Sequence, residues 1–96
     1  MENKYDIYLE KYGLGKHKCD ETSYVVISKI GATFINETGS AHRLDGPAFT
    51  LYTGSEYWYI RGVLIDDQIR EWAYQQNVNL DNLTEDDKLL IKLVWG

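Results

Sequence analysis

The sequence predicts an α+β fold, with an antiparallel sheet of about four or five strands followed by two C-terminal helices. Two patterns and the chain length predict it. Short apolar segments with period-two alternation and turn residues fill the chain up to Gly62, and helical apolar spacing follows. The 96 residues suffice for one domain. We therefore expect one domain over 1–96, with a β part over 1–62 and a helical part over 63–96.

The first half of the β part divides into three predicted strands and a loop. KYDIYL (4–9) places Tyr5, Ile7 and Leu9 on one face of a strand. Residues 12–22 contain two glycines and several polar residues, which predicts a loop. The β-branched residues of 23–30 and of 32–36 predict two further strands.

The strongest strand signal is a hairpin around Gly54-Ser55. This Gly-X dipeptide lies between two aromatic-rich runs, which is typical of a two-residue type II′ turn. In that register Leu51 faces Trp58 and Thr50 faces Tyr59. Alternation then assigns one face to the core, with Phe49, Leu51, Trp58 and Ile60, and leaves the other face with Thr50, Tyr52, Tyr57 and Tyr59.

The first predicted helix begins after Gly62. Its apolar residues are Ile65, Ile69, Trp72 and Ala73. Asp66 or Asp67 would cap its start, and Asn77 would end it.

The second predicted helix begins at Thr84, which would act as its cap. Three acids would occupy its first turn, where the helix dipole favours negative charge: Glu85, Asp86 and Asp87. Its predicted apolar stripe consists of Leu89, Leu90, Leu93 and Val94.

The segment HRLDGPA (42–48) has a structural and a chemical interpretation. Asp45, Gly46 and Pro47 are turn residues, Arg43 would pair with Asp45 or a strand carboxylate, and His42 would cap a turn or pack on an aromatic ring. In the chemical interpretation His42 is a general base or ligand oriented by Asp45.

HRLDGPA is followed ten residues later by WYIRG, which ends at Gly62. Together they resemble one unit of a short repeat found in small and tail-associated proteins of tailed bacteriophages. The pattern of that family is H-R-x-D-G-P-A, a strand, a glycine turn and W-Y-x-x-G, in arrays similar to membrane-occupation-and-recognition-nexus repeats. The resemblance covers 42–62, with Trp58 at the aromatic position, and implies a hairpin unit and a phage origin.

The composition limits the kinds of partner that we expect this chain to bind. Ten basic and fifteen acidic residues give a net charge of −5, and the basic residues cluster only at Lys16 and Lys18, which disfavours nucleic-acid binding. No apolar run approaches 18 residues, which predicts no membrane partner and a location in the cytoplasm. With the phage origin that the resemblance implies, this would be the host cytoplasm. His17 and Cys19 lie two apart but have no recognised ligand spacing, so we expect no metal and no cofactor.

These observations favour a non-enzymatic, phage-encoded interaction protein that binds and modulates or inhibits a host protein of the defence or transcription machinery. A second copy of the chain is a further candidate partner. Two alternatives stay open: a small enzyme or nucleotide-binding protein using His42, Arg43 and Asp45, and a virion-associated structural module. The predicted interface consists of Tyr52, Tyr57, Tyr59, Asp66, Asp67, Glu85, Asp86 and Asp87.

Overall fold

A computed structural model describes residues 3–96 and confirms the α+β arrangement. An antiparallel five-stranded sheet has its strands in chain order: β1 (Gly15–Lys18), β2 (Ser23–Ile27), β3 (Gly31–Asn36), β4 (Phe49–Leu51) and β5 (Glu56–Tyr57). A separate two-stranded sheet contains β6 (Tyr59–Ile60) and β7 (Val63–Leu64). The helices are α1 (Lys4–Tyr12), α2 (Asp66–Gln76) and α3 (Glu85–Trp95), and none of these is long and apolar enough to cross a membrane.

Residues 4–9 form the first part of helix α1, so the predicted strand is wrong. The side chain of Asn3 accepts a hydrogen bond from the Asp6 N–H, and the Asp6 carboxylate accepts one from the Asn3 N–H. Ile7 lies on the outer side of α1 and is 49% exposed. The residues that pack on the sheet have helical spacing: Tyr5, Tyr8, Leu9 and Tyr12.

The predicted loop over 12–22 contains strand β1. Lys16 is paired with Val26 and Lys18 with Tyr24, so β1 is the edge strand beside β2. Charged edge strands discourage pairing between sheets of different molecules, and they show no apolar alternation. That is why the segment has the composition of a loop.

The two faces of the five-stranded sheet have different surroundings. Helix α1 packs against β2, β3 and β4, on the face that carries Val25, Ile27, Ala32, Phe34 and Thr50. We call the opposite side the open face. Strand register places on it Lys16, Lys18, Tyr24, Val26, Thr33, Ile35, Phe49, Leu51 and Tyr57.

The β4–β5 hairpin has a three-residue turn, so the predicted register is wrong. The Gly54 N–H donates to the Leu51 carbonyl oxygen at 2.9 Å, and the Leu51 N–H donates to Ser55 O at 2.8 Å. Gly54 has φ +98°, the left-handed bulge of such a turn. Thr50 therefore pairs with Glu56, and Phe49 with Tyr57.

This register reverses the predicted faces of β4. Thr50 is buried on the α1 side, while Phe49 and Leu51 are half-buried on the open face. Trp58 and Ile60 are buried, as predicted, but in a second core. There they pack with Ile65, Ile69 and Ile91.

Helix α2 ends as predicted but begins differently. Asn77 adopts the left-handed conformation with φ +57° and terminates the helix. At the start, Ile65 occupies the cap position without a side-chain hydrogen bond, so neither Asp66 nor Asp67 is the cap. The Asp66 carboxylate instead accepts a hydrogen bond from the backbone N–H of Trp58.

Helix α3 has the predicted cap, but the predicted apolar stripe is not its buried face. Thr84 accepts from the Asp87 N–H at 3.1 Å, and the Asp87 carboxylate accepts from the Thr84 N–H at 3.0 Å. Ile91 is fully buried and Trp95 packs against the second core. The predicted stripe lies on the outer surface, where Leu89, Leu90, Leu93 and Val94 are exposed.

Candidate functional site

Arg43 is the centre of the HRLDGPA segment. Its Nε donates to Asp45 Oδ1 at 2.8 Å, and its Nη1 donates to the Tyr8 hydroxyl at 2.9 Å and the Pro47 carbonyl at 3.2 Å. The guanidinium carbon lies 4.1 Å from the centre of the Phe34 ring, within cation–π range. The predicted Arg43–Asp45 pair is confirmed, and Arg43 connects this segment to α1 and β3.

Gly46 is required by the position of Arg43. A Cβ atom at Gly46 would lie 2.9 Å from the guanidinium carbon, closer than nonbonded carbon atoms approach. Burial by itself lowers the pKa of Arg43, but Tyr8 and Asp45 outweigh that effect and raise it above its ordinary value. Arg43 is therefore a permanent cation that holds the turn.

His42 joins the start of the segment to the WYIRG turn. The backbone N–H of His42 donates to the Phe34 carbonyl oxygen at 2.9 Å, and the ring Nδ1 accepts from the backbone N–H of Arg61 at 3.0 Å. Arg61 and Gly62 have φ +49° and +82°, which is a two-residue type I′ turn between β6 and β7. Burial, and then the charge of Arg61, lowers the pKa of His42, so the ring is neutral at pH 7.

The structure brings Arg43 and Asp45 together and leaves His42 apart. Arg43 and Asp45 line a shallow cavity of about 190 Å³ with Lys4 and Lys88. His42 lines a different cavity, of about 280 Å³, beside Arg61. Asp45 therefore does not orient His42, and the acid–base pair of the chemical interpretation is not formed.

The cations around the smaller cavity already have partners. Lys4 Nζ lies 3.2 Å from Glu56 Oε2, and Lys88 Nζ lies 3.3 Å from Glu85 Oε1. A bound anion would have to compete with these carboxylates. The predicted site residues Arg43 and Asp45 thus hold the turn against α1 and β3.

His17 lies in β1, and Cys19 follows the end of that strand. The His17 Nε2 is 2.9 Å from the Gly13 carbonyl oxygen, and its ring stacks on Tyr12. Cys19 is exposed. Within residues 3–96, no three His, Cys, Asp or Glu side chains are arranged to hold a metal ion.

The predicted acidic residues have different surroundings. Asp66 is held by the Trp58 N–H and lies 3.8 Å from Arg70, and Asp87 closes the cap of α3. The Asp66 carboxylate connects the start of α2 to Trp58, and the Asp87 carboxylate completes the cap of α3. Asp67, Glu85 and Asp86 are exposed.

The three predicted tyrosines do not share one face. Tyr52 lies in the β4–β5 turn and is 58% exposed, and Tyr59 is half-buried in β6. Tyr57 lies on the open face, where its ring stacks on Phe49 with 6.0 Å between ring centres. Tyr24 and Val26 also lie on the open face and were not among the predicted interface residues, although both alternate with the buried Val25 and Ile27.

The open face is aromatic toward β5 and basic along β1. The Phe49 ring lies over Gly31, and its Cε1 is 3.0 Å from the position of a Cβ there. Along β1, Lys16 Nζ lies 4.6 Å from the centre of the Tyr24 ring. These side chains form a broad half-buried apolar surface with lysines along one edge.

Comparisons of the chain with known proteins give no relative. No family model matches it, and no curated protein or solved structure gives a significant match. Any functional assignment therefore depends on the geometry of the described residues. The resemblance of 42–62 to a phage repeat stays a prediction.

Proposed function

We propose that this chain is a non-enzymatic phage protein that binds and modulates a host protein in the host cytoplasm, through its open face. The observation that carries the proposal is the sheet with α1 on only one side. A sheet face that carries aromatic and aliphatic side chains is ordinarily covered by another layer. Here a partner protein would supply that layer.

The chemistry of the open face supports protein binding. Aromatic side chains dominate the energy of protein interfaces because they bury large areas with few rotatable bonds. Phe49 is held between the Gly31 backbone and the Tyr57 ring, so it would lose little conformational entropy on binding. A rigid aromatic pair next to Val26 and Leu51 is suitable as the centre of an interface.

The edge along β1 indicates the chemistry of the partner. Lys16 and Lys18 are exposed beside Tyr24, whereas the chain as a whole has a net charge of −5. A host protein with an apolar patch and acidic side chains near β1 would complement this surface. The phage resemblance of 42–62 supports a host partner, and defence and transcription proteins are the expected class.

Site-specific photo-crosslinking tests the proposal. A photoreactive phenylalanine replaces Tyr57 in one variant and Tyr74 in a control, because Tyr74 is 86% exposed on α2, outside the open face. In host cells, irradiation should attach one specific host protein to position 57 and not to position 74. Equal adducts at both positions, or none at 57, would contradict the proposal.

The captured protein is then purified and its affinity measured. Tyr57→Ala should weaken binding about tenfold or more, as truncation of a central aromatic residue does. Tyr74→Ala should leave the affinity unchanged, and thermal unfolding shows whether each variant is folded. A folded Tyr57→Ala variant with wild-type affinity would place the interface elsewhere.

A further inference from the structure

Strand β1 forms one edge of the five-stranded sheet, and its outer side pairs with no strand in the part of the chain that the structure describes. The Cys19 N–H donates to the Ser23 carbonyl oxygen at 3.0 Å. Hydrogen-bonded pairs alternate along an antiparallel ladder, so His17 also directs its backbone groups toward β2. Lys16 and Lys18 therefore direct their backbone N–H and carbonyl groups away from the sheet. We call this outer side the β1 edge, and such an edge can template a further strand.

The β1 edge is basic in a chain whose net charge is −5. Lys16 and Lys18 are exposed, and register places both side chains on the open face. Among residues 3–96, neither lysine forms an ion pair with a carboxylate. The nearby Asp20 carboxylate instead accepts a hydrogen bond from the Thr22 N–H at 2.9 Å. The two ammonium groups are thus available to negative charges on an added strand.

We infer that the β1 edge binds an extended acidic segment of another protein, which adds to the sheet as a sixth, antiparallel strand. All strand pairs of this sheet are antiparallel, and that pairing is the more stable kind. Acidic residues two positions apart in the segment would lie opposite Lys16 and Lys18, on one side of the sheet. The outward N–H and carbonyl groups of the two lysines would supply the backbone hydrogen bonds.

The same charges exclude a second copy of this chain as the added strand. Antiparallel pairing of two β1 edges would set lysine opposite lysine, whether Lys16 faced Lys16, Lys18 faced Lys18, or one faced the other. Like charges that lie directly opposite destabilise a strand pair. The β1 edge therefore discriminates against its own copies and selects an acidic strand.

The β1 edge is short, which limits the expected affinity. Only two residues direct backbone groups outward, so binding by this edge alone should have a dissociation constant of about 0.1–1 mM. Phe49 and Tyr57 lie in β4 and β5, toward the opposite end of the sheet. The inference therefore does not depend on the function proposed for the open face.

A titration with a blocked synthetic peptide that alternates glutamate and threonine, followed by amide hydrogen exchange, tests the inference. In the free chain the amide protons of Lys16 and Lys18 should exchange rapidly and that of Cys19 slowly. Peptide at roughly ten times its dissociation constant should slow exchange at both lysines about tenfold. A peptide that alternates lysine and threonine should leave both rates unchanged. Equal protection by the two peptides would overturn the selection for acidic strands.

N-methylated peptides distinguish strand addition from charge attraction alone. In an antiparallel pair the glutamates opposite Lys16 and Lys18 direct their N–H groups toward β1, and the threonines direct theirs away. N-methylation of the glutamates should therefore weaken binding at least about fivefold, since it removes hydrogen bonds to the edge. N-methylation of the threonines should leave the affinity nearly unchanged. Equal effects of the two modifications would overturn strand addition.

Charge reversal in the chain locates the binding site. Lys18→Glu should weaken binding of the glutamate peptide about fivefold or more, because an attraction becomes a repulsion. Lys92→Glu is the matched control, since Lys92 is exposed on α3, and Tyr57→Ala reports on the open face. Both of these variants should bind the peptide normally, and thermal unfolding shows whether each variant is folded. A wild-type chain that does not bind the peptide, or a folded Lys18→Glu variant that binds it normally, would overturn the inference.

Discussion

Val25 and Val26 are neighbours in β2, and they point to opposite faces of the same sheet. Val25 is fully buried beneath α1 among Tyr5, Ile27 and Phe34, whereas Val26 is half-buried on the open face. Both faces carry aliphatic and aromatic side chains, so composition does not distinguish them. The difference arises because α1 covers one face. The covered face stabilises the fold, and the other face is available to a partner.

Truncating Val25 and Val26 should give the largest difference in stability loss between the two faces of the sheet. Val25→Ala removes buried methyl groups and leaves a cavity, so we expect a loss of about 2 kcal/mol or more in the free energy of unfolding. Val26→Ala should cost less than about 1 kcal/mol, because its side chain is only half-buried. Urea denaturation measures both. Equal losses would mean that the open face is packed in the folded monomer.

Arg43→Lys tests the polar connection on the covered side of the sheet. Lysine keeps the charge but cannot reproduce the planar contacts with Asp45, Tyr8 and Pro47, so we expect a loss of about 1–2 kcal/mol. Arg70→Lys is the control, since the Arg70 side chain is 56% exposed and lies 3.8 Å from Asp66. Urea denaturation should show almost no change for Arg70→Lys. Similar losses for both would contradict the structural role of Arg43.

Gly54→Ala tests the turn that decides which residues of β4 point to each face. Alanine is strained at φ +98°, so we expect a loss of about 1 kcal/mol in the free energy of unfolding. Ser55→Ala, at the next position, should have little effect because the Ser55 carbonyl makes the turn contact. Thermal unfolding distinguishes them. A neutral Gly54→Ala would contradict the left-handed conformation of Gly54.

The smallest expected effect is the pH dependence that His42 contributes. Burial lowers the pKa of His42 in the folded chain, so below its usual value of 6.5 the unfolded chain binds the proton more readily. This contribution is therefore complete above about pH 6.5 and is lost as the pH falls. His42→Gln should reduce the drop in Tm between pH 7.5 and 5.5. An unchanged drop would contradict this role.

Local signals explain which elements were predictable. The β-branched residues of β2 and β3, the Thr84 cap of α3 and the Asn77 end of α2 depend on nearby residues, and the structure confirms them. The apolar residues of 4–12 fit both strand and helix periodicity, because Tyr5 and Leu9, four residues apart, would share one face of a strand and also one face of a helix. The reciprocal hydrogen bonds of Asn3 and Asp6 favour the helix.

Non-local packing explains what the sequence could not predict. The glycine at 54 is equally suitable for a two-residue turn or a bulge, and only pairing with β3 fixes the register. In α3, the predicted stripe and the pair Ile91 and Trp95 both have the spacing of a buried helix face. Ile91 and Trp95 form the buried face because they contact the core of Trp58 and α2. In the candidate site, the Arg43–Asp45 pair was predictable from spacing, but the separation of His42 from Asp45 was not.

The central claim is that a partner docks on the open face and not on the covered one. Methyl NMR of the isotope-labelled chain tests this claim directly, in a titration with the purified host protein that the crosslinking identifies. Val25 and Val26 are adjacent in the chain and report on opposite faces of the sheet. We predict that the methyl signals of Val26 and Leu51 shift or broaden at saturation, while those of Val25 and Ile27 stay nearly unchanged. Larger changes at Val25 and Ile27 than at Val26 and Leu51, or no change at any of them, would contradict the claim.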